Sequence, residues 1–127
     1  MTAKTSAARI LVVDDEDVLR EMLGDALRLS GFEVLEAADG SKALTILQSG
    51  KVDLIISDVN MPKIDGIQFV TEVKKNPRYK FTPIIMLTTE GQDAKKEQGR
   101  AAGAKAWIVK PFNPPVLLDA VSKLILP

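Results

Sequence analysis

Five polar residues in this sequence stand directly after short, largely apolar runs, and their types are suited to chemistry. They are Asp14 and Asp15 after I-L-V-V, Asp58 after L-I-I-S, Thr88 after I-I-M-L and Lys110 after W-I-V. The chain has no cysteine and no histidine, which excludes disulfides, thiol catalysis, a histidine base and the usual zinc ligand sets. Any reaction must therefore use carboxylates, amines or hydroxyls.

The three aspartates point to a divalent cation and a phosphoryl group. Two unit charges about 4 Å apart interact by roughly 4 kcal/mol at an effective dielectric constant near 20, and Lys110 alone would offset only part of the repulsion. Mg²⁺ is typically held by one or two carboxylates together with water and phosphate. Because the sequence has no histidine, no cysteine and no glycine-rich phosphate loop, the best candidate nucleophile is a carboxylate that forms an acyl phosphate. Asp58 is favoured because it is single and central.

Each of these residues also has an ordinary structural interpretation. Acids at the start of a helix cap it and complement its dipole, which would account for 14–17. An aspartate before a turn, such as Asp58, is common in turns, and Thr88 or Lys110 alone would indicate little. Their coincidence at the ends of four of the five predicted strands is what favours a site.

The sequence predicts five strands that alternate with five helices. The runs at 10–13, 54–56, 84–87 and 107–109 are typical of parallel strands covered on both faces, whereas 32–37 is mixed with acids and indicates an edge strand. Three- and four-residue spacing of apolar residues predicts the helices, and in the first helix it selects Val18, Met22, Ala26 and Leu29. Three glycines are predicted to end helices in the left-handed conformation, namely Gly31, Gly50 and Gly103. Asn113 and the two prolines after it are predicted to begin the last helix.

This alternation implies an α/β fold with a parallel sheet and right-handed crossovers. Five units in a chain of this length favour a flavodoxin-like doubly wound sheet over a barrel, which needs eight. The strand order 2-1-3-4-5 is adopted from that fold, whose ligands bind outside the carboxyl ends of the strands. We expect residues 1–7 to form a flexible tail and residues 8–127 to form one domain.

The composition limits the classes of partner. Seventeen basic and seventeen acidic residues give no electrostatic reason to expect nucleic acid or an anionic membrane surface. The apolar runs are far shorter than the roughly 20 residues that a membrane helix needs, and the first residues lack the apolar core of a signal peptide. We therefore expect a cytoplasmic monomer.

The site motifs resemble the receiver domain of two-component response regulators. D-D at 14–15, D at 58, T at 88 and K-P-F at 110–112 match that family, and the resemblance extends over roughly residues 8–126. V-N-M-P after Asp58 and T-T-E-G after the fourth strand are most similar to the single-domain CheY type, which acts in chemotaxis. The resemblance implies a phosphoprotein that signals by phosphorylation-dependent binding and is not an enzyme for a separate substrate.

The resemblance also implies how the phosphoryl group and the metal are held. Asp58 would accept the phosphoryl group from a sensor histidine kinase of the CheA type. Asp15, Asp58 and the main-chain carbonyl of Asn60 would bind Mg²⁺, and Asp14 would act through a metal-bound water. Lys110 would pair with the phosphoryl oxygens.

Switching and lifetime residues follow from the same resemblance. Thr88 would donate its hydroxyl to a phosphoryl oxygen, and the Lys110–Pro111 bond is expected to be cis. Trp107 takes the place of the family's mobile aromatic residue, although it could instead be part of the core. Asn60 and Glu90 would flank the phosphoryl group and help to orient the attacking water, which implies an acyl phosphate that lives for seconds to minutes.

The fourth helix, predicted at 92–102, is expected to take part in switching. It has no large aliphatic residue, and Gly99 inside it costs about 1 kcal/mol relative to alanine. Elements of low stability are typical of switching segments. With the fifth strand and the fifth helix it would form the face for a downstream target, such as the flagellar motor switch, and a phosphatase is a further possible partner. A merely solvated helix is the alternative.

Other functions use related chemistry. A stand-alone relay or phosphate-sink receiver outside chemotaxis would have the same site. A Mg²⁺-dependent aspartyl phosphatase needs a general acid two residues after its nucleophile, where this chain has Asn60, and a substrate-capping segment. An FMN carrier needs a phosphate loop rich in serine, threonine and glycine, where this chain has the four acids 14–17.

Overall fold

The computed structural model describes residues 8–61, 63–89 and 93–125 of the chain. The predicted tail at 1–7 and Glu90 lie outside the described residues. The strands are β1 (Arg9–Val13), β2 (Glu33–Ala37), β3 (Leu54–Asp58), β4 (Ile84–Thr89) and β5 (Ala106–Lys110). The helices are α1 (Asp17–Leu29), α2 (Gly40–Ser49), α3 (Gly66–Lys75), α4 (Asp93–Ala102) and α5 (Pro114–Leu124), with a short 3-10 turn at Pro77–Tyr79.

The five strands form one parallel sheet in the order β2-β1-β3-β4-β5. This confirms the predicted flavodoxin-like fold, including the edge position of the acid-rich second strand. Every residue of β3 is buried, because this strand lies at the centre of the sheet and is covered on both faces. The sheet therefore places the carboxyl ends of β1 and β3 side by side.

Two hydrophobic cores lie on opposite faces of the sheet. Successive residues of a strand point to opposite faces, so Leu11 and Val13 of β1 pack in the core that contains Phe69 of α3. Ile10 and Val12 pack in the other core, against α1 and α5. Among the described helices, none is both long enough and apolar enough to cross a membrane.

Helix α1 forms as predicted but turns a different face to the core. Val18, Met22 and Leu29, expected on the buried stripe, are 73%, 55% and 90% exposed, whereas Leu23 and Leu27 are buried. Both sets of residues keep helical spacing, so periodicity alone could not choose between them. The sheet selects the stripe with the two leucines.

Two of the three predicted helix-ending glycines have the expected conformation. Gly31 and Gly103 have φ angles of 97° and 122°, which are favourable for glycine and strained for other residues. The prediction for Gly50 is wrong, since its φ of −134° and ψ of 166° are extended. The chain leaves α2 in an extended conformation and runs into β3. As predicted, Asn113 caps α5 by accepting a hydrogen bond from the Val116 main-chain N–H.

Candidate functional site

The carboxyl ends of β1 and β3 bring three aspartates together. Val13 lies opposite Ser57 in the parallel register, so the next residues, Asp14 and Asp58, emerge side by side. One carboxylate oxygen each from Asp14, Asp15 and Asp58 lies within 4.8 Å of the other two. Asp14 and Asp58 are buried, whereas Asp15 is exposed. The structure thus unites the three acids that the sequence pattern selected.

Hydrogen bonds hold Asp14 on several sides. Its main-chain N–H donates to the carbonyl of Ala37 at 3.1 Å, and its Oδ1 accepts from the main-chain N–H of Glu16 at 2.9 Å. Its Oδ2 lies 3.4 Å from Lys110 Nζ. Its carbonyl oxygen accepts from Nη1 of Arg20 at 2.7 Å, a residue that the sequence analysis missed. The signal that could have found it is a cation one helical turn after Asp17, an i,i+3 partner.

Lys110 joins the two buried acids across the sheet. Its Nζ lies 3.2 Å from Oδ2 of Asp58 and 3.4 Å from Oδ2 of Asp14. The main-chain N–H of Asn60 donates to Oδ1 of Asp58 at 3.3 Å, so both carboxylate oxygens of Asp58 have a donor. The bond from Lys110 to Pro111 is cis.

Burial and the neighbouring charges together shift two pKa values of this cluster upward. Burial raises the pKa of Asp58 above its ordinary value; the positive charge of Lys110 opposes this shift, and the negative charge of Asp14 adds to it. Burial lowers the pKa of Lys110, but the carboxylates of Asp58 and Asp14 more than reverse that effect, and the net shift is upward. The lysine is therefore held in its charged form beside an excess of negative charge.

The donor set fits a hard divalent cation. Mg²⁺ prefers oxygen ligands and usually keeps several waters, so it needs only one or two carboxylates from the protein. The cluster of Asp14, Asp15 and Asp58 offers three carboxylates, of which Asp15 is exposed to solvent. The ammonium group of Lys110 lies between Asp14 and Asp58, the two buried acids of the cluster. The residues present are thus suited to hold Mg²⁺ at the edge of the sheet.

Glycine 66 lets α3 begin against the strand that bears Asp58. A Cβ at position 66 would overlap the Asp58 carbonyl oxygen and would lie 2.7 Å from Val59 Cα and 2.8 Å from Met86 Cε. The Gly66 main-chain N–H donates to the Val59 carbonyl at 2.7 Å. The Ser57 hydroxyl also donates to the Asp58 carbonyl, at 3.0 Å. Asp58 is consequently fixed by its main chain as well as by its side chain.

The other predicted site residues are found on neighbouring strands. Thr88 is buried and directly follows Leu87, whose register partner is Asp58, so Thr88 lies at the same edge of the sheet. Asn60 is exposed two residues beyond Asp58. Glu90, the predicted partner of Asn60 in controlling the phosphoryl lifetime, lies outside the described residues.

Trp107 is half-buried against α4, and Gly99 is the reason that it fits. The indole packs on the core that contains Phe69. A Cβ at position 99 would overlap Cη2 of Trp107 and lie 2.8 Å from its Cζ2. The glycine that the sequence analysis treated only as a helix-weakening residue therefore forms a notch for the aromatic ring.

Comparisons with known proteins agree with this geometry. A model of the response regulator receiver domain family matches residues 10–122. A probable transcriptional regulator, ycf27 of Cyanophora paradoxa, is 43% identical over 117 residues, which are 92% of this chain and 48% of that protein. The chain therefore spans about half the length of the curated relatives that it matches.

Solved structures are similar over nearly the whole chain. The chemotaxis response regulator CheY4 of Vibrio cholerae has a TM-score of 0.89 and 48% identity, over 93% of this chain and 98% of that one. The receiver domain of sensor histidine kinase PA1611 from Pseudomonas aeruginosa PAO1, which has a magnesium ion coordinated in its active site cleft, has a TM-score of 0.86 and 28% identity, over 94% of this chain and 98% of that one.

Proposed function

This chain belongs to the receiver domains of two-component response regulators, and we propose on that premise that it is phosphorylated on Asp58 by a sensor histidine kinase. The observation that supports the proposal is the position of Asp58. It is buried at the end of the central strand, 3.2 Å from Lys110 and within a cluster of three carboxylates. Residues 8–127 would form this domain and residues 1–7 a tail, and the phosphorylated domain would signal by binding a partner.

The transfer is a displacement at phosphorus. An Oδ atom of Asp58 attacks the phosphorus of the kinase phosphohistidine, the O–P bond forms, and the N–P bond breaks with its electron pair returning to the imidazole nitrogen. The product is an acyl phosphate. Burial, which raises the pKa of Asp58, also leaves its ionised carboxylate poorly solvated and therefore more reactive.

Lys110 supplies charge where the phosphoryl group arrives. Phosphoryl transfer depends on positioning and on neutralised oxygens more than on covalent help. The Lys110 ammonium already lies 3.2 Å from Oδ2 of Asp58 and can follow the negative charge to the phosphoryl oxygens. Asp15, Asp58 and the carbonyl of Asn60 would hold Mg²⁺, with Asp14 acting through a water. The PA1611 receiver domain, which has a magnesium ion coordinated in its active site cleft, supports the proposal of a metal at this place in the fold. The ion would neutralise phosphoryl oxygens when bound.

The output surface would consist of α4, β5 and α5. The Thr88 hydroxyl would donate to a phosphoryl oxygen, and the resulting shift of β4 would reach Trp107, the neighbour of Met86 on β5. Val109 and Val116 are exposed on this side, where a cleft of about 510 Å³ also includes Trp107, Pro111 and Phe112. Exposed apolar residues around a cleft are suited to binding a protein partner.

Chemotaxis is the favoured pathway, with the flagellar motor switch as the downstream target, because CheY4 of Vibrio cholerae is similar over almost its entire length. The relative from Cyanophora paradoxa is a probable transcriptional regulator about twice as long, so its similarity concerns the receiver domain alone. A relay or phosphate-sink role outside chemotaxis would use the same Asp58 chemistry and is the second candidate.

The experiment is to incubate the protein with Mg²⁺ and acetyl phosphate and to follow the intact mass. We expect the gain of one phosphoryl group in the wild type and in Asp65→Asn, a control that changes the nearby cap of α3, and no gain in Asp58→Asn. Modification of Asp58→Asn would contradict the proposal. The same assay, followed over time, reports the lifetime of the phosphorylated protein, which should lengthen in a variant with bulky basic residues at Asn60 and Glu90.

A further inference from the structure

A partly buried arginine holds the loop that carries the metal-binding acids. Arg20, near the start of α1, donates from Nη1 to the carbonyl oxygen of Asp14 at 2.7 Å. Its Nη2 lies 2.7 Å from Oδ1 of Asp17, and its Nε lies 3.5 Å from Oε1 of Glu36 on β2. The side chain is only 16% exposed. Three acceptors on three segments therefore define where this guanidinium group lies.

The far side of this network is also fixed. Glu36 accepts a second arginine, since Nη2 of Arg28 lies 2.9 Å from its Oε2. A Cβ at position 24 would lie 2.9 Å from that same Oε2. Gly24 therefore leaves the space in which the Glu36 carboxylate packs against α1. Charged groups joined in a network are held more firmly than an isolated surface pair. Arg20 is thus anchored to the edge of the sheet by Glu36.

Asp15 is the acid whose position most depends on the main chain. Among the described residues, no hydrogen bond or ion pair holds its exposed carboxylate, although an oxygen of that group lies within 4.8 Å of oxygens of Asp14 and Asp58. The peptide unit between Asp14 and Asp15 fixes the main-chain position from which the Asp15 side chain extends. The oxygen of that peptide unit is the atom to which Arg20 donates.

We propose that Arg20 is a positioning residue for the divalent-cation site. By fixing the peptide unit after Asp14, it keeps the Asp15 carboxylate beside those of Asp14 and Asp58, and Glu36 holds Arg20 in place. This inference rests on the proposed function, because it assumes that the cluster binds Mg²⁺. The positive charge of Arg20 by itself repels Mg²⁺ and would lower the affinity of the cluster for the ion. Its positioning of Asp15 would raise that affinity, so the two effects have opposite signs.

The test is a titration of the phosphate-free protein with MgCl₂, followed by the amide signals of residues 14–17 in NMR spectra. Loss of a residue that orients a metal ligand typically weakens metal binding by 10- to 100-fold. We therefore expect a dissociation constant about tenfold higher in Arg20→Met. In Arg20→Lys the charge is kept but the forked geometry is lost, so binding is expected to remain weaker than in the wild type. The Asp15 amide signal of the metal-free protein should move in both variants.

The control is Arg9→Met, which removes a cation that pairs with Glu33 at the amino end of β1, outside the network of Arg20, and should change the dissociation constant by less than about twofold. Thermal unfolding of each variant sets a temperature at which all are folded. If Arg20→Met does not fold, Glu36→Gln replaces it, since it loosens the anchor of Arg20 and should weaken Mg²⁺ binding to a smaller extent.

The outcomes separate the two proposals. Unchanged or tighter Mg²⁺ binding in Arg20→Met, or in Glu36→Gln where that variant replaces it, overturns the positioning role while the proposed function stands. Failure of the wild type to bind Mg²⁺ overturns the metal site and this inference with it. Normal Mg²⁺ binding that weakens in Arg20→Met, without phosphorylation of Asp58, supports the positioning role and overturns the proposed phosphorylation.

Discussion

Two regions at the carboxyl edge of the sheet differ in how far they are buried and packed. The acceptor region, which comprises the carboxyl ends of β1 and β3 and the start of α3 at Gly66, has buried strands, and the polar groups of Asp14 and Asp58 are hydrogen-bonded. The reporter region, which comprises α4 and β5, is more exposed. Its helix has no large aliphatic residue, and Trp107 fits it only because position 99 is glycine.

This difference indicates where the molecule can move. Phosphoryl transfer requires the nucleophile and its neighbours to stay in place, and the acceptor region has the dense packing that this requires. Segments with few buried apolar contacts open at a lower free energy than the core does. A signal that starts at Asp58 would therefore be expected to appear as motion in the reporter region.

The largest expected effect on stability comes from Gly66→Ala, which disrupts the packing of the acceptor region. The new Cβ would overlap the Asp58 carbonyl, and main-chain atoms cannot rotate away, so we expect a loss of about 3 kcal/mol in the free energy of unfolding. Gly50→Ala is the matched control, because its nearest contact for a Cβ is 3.7 Å away, and it should change stability by less than about 0.5 kcal/mol. Urea denaturation measures both. Equal tolerance of the two substitutions would contradict the close packing at Gly66.

A smaller effect on stability is expected from the charge of the Asp58 carboxylate in the acceptor region. Because burial raises the pKa of Asp58, the folded chain binds this proton more tightly than the unfolded chain does. The bound proton of Asp58 therefore stabilises the folded state. This stabilisation is complete below the ordinary pKa of 3.8 and is lost as the pH rises through the raised pKa of the folded state. At pH 7 the ionised Asp58 is therefore destabilising.

Asp58→Asn should consequently raise the free energy of unfolding at pH 7. Charges about 5 Å apart interact by about 3 kcal/mol at an effective dielectric constant of 20, and Lys110 cancels much of the repulsion, so a gain on the order of 1 kcal/mol is expected. The difference between variant and wild type should shrink as the pH falls to 3.8. Thermal unfolding across this pH range measures it, and a wild type that is the more stable protein at pH 7 would refute the expectation.

The smallest net effect is expected in the reporter region, from Gly99→Ala. Alanine is about 1 kcal/mol better than glycine inside a helix, but here its Cβ would displace the Trp107 ring. The two contributions should nearly cancel in the wild type. In a Trp107→Leu background only the gain remains, and Gly99→Ala should stabilise by about 1 kcal/mol.

The single tryptophan reports this displacement directly. Emission in Gly99→Ala should shift to longer wavelength, as the indole moves towards water. Unfolding monitored by circular dichroism completes the double-mutant cycle. Equal stabilisation by Gly99→Ala in both backgrounds, with unchanged emission, would show that the notch does not hold the ring.

Much of the architecture could be predicted from local patterns. Valine- and isoleucine-rich runs occur where strands are buried on both faces, and the acids in 33–37 distinguished the edge strand β2. The carboxyl ends of parallel strands meet at one edge, and this rule is sufficient to group Asp14, Asp58 and Lys110 from the sequence. These inferences succeeded because they depend on local composition and on sheet topology, and not on contacts between particular distant side chains.

The features that escaped prediction depend on contacts between distant segments. The buried face of α1 depends on which side of the helix meets the sheet, and two stripes had suitable spacing. The i,i+3 spacing could indicate the pair of Arg20 with Asp17, but it gives no sign of the contacts of Arg20 with Glu36 and with the Asp14 carbonyl. Gly99 could be recognised as a packing residue only with Trp107 opposite it. Sequence spacing contains no record of such neighbours.

The central sheet divides the interior into two independent compartments. Alternate residues of each strand belong to different cores, so a substitution among the α1 and α5 contacts does not touch the packing of α2 and α3. Substitutions at distant sites usually add in their effects on stability. After gene duplication, the outer surface of α1 and that of α2 and α3 could therefore change separately, because neither belongs to the proposed output surface of α4, β5 and α5. Separate packing on the two faces of the sheet thus allows new binding partners to be acquired one substitution at a time.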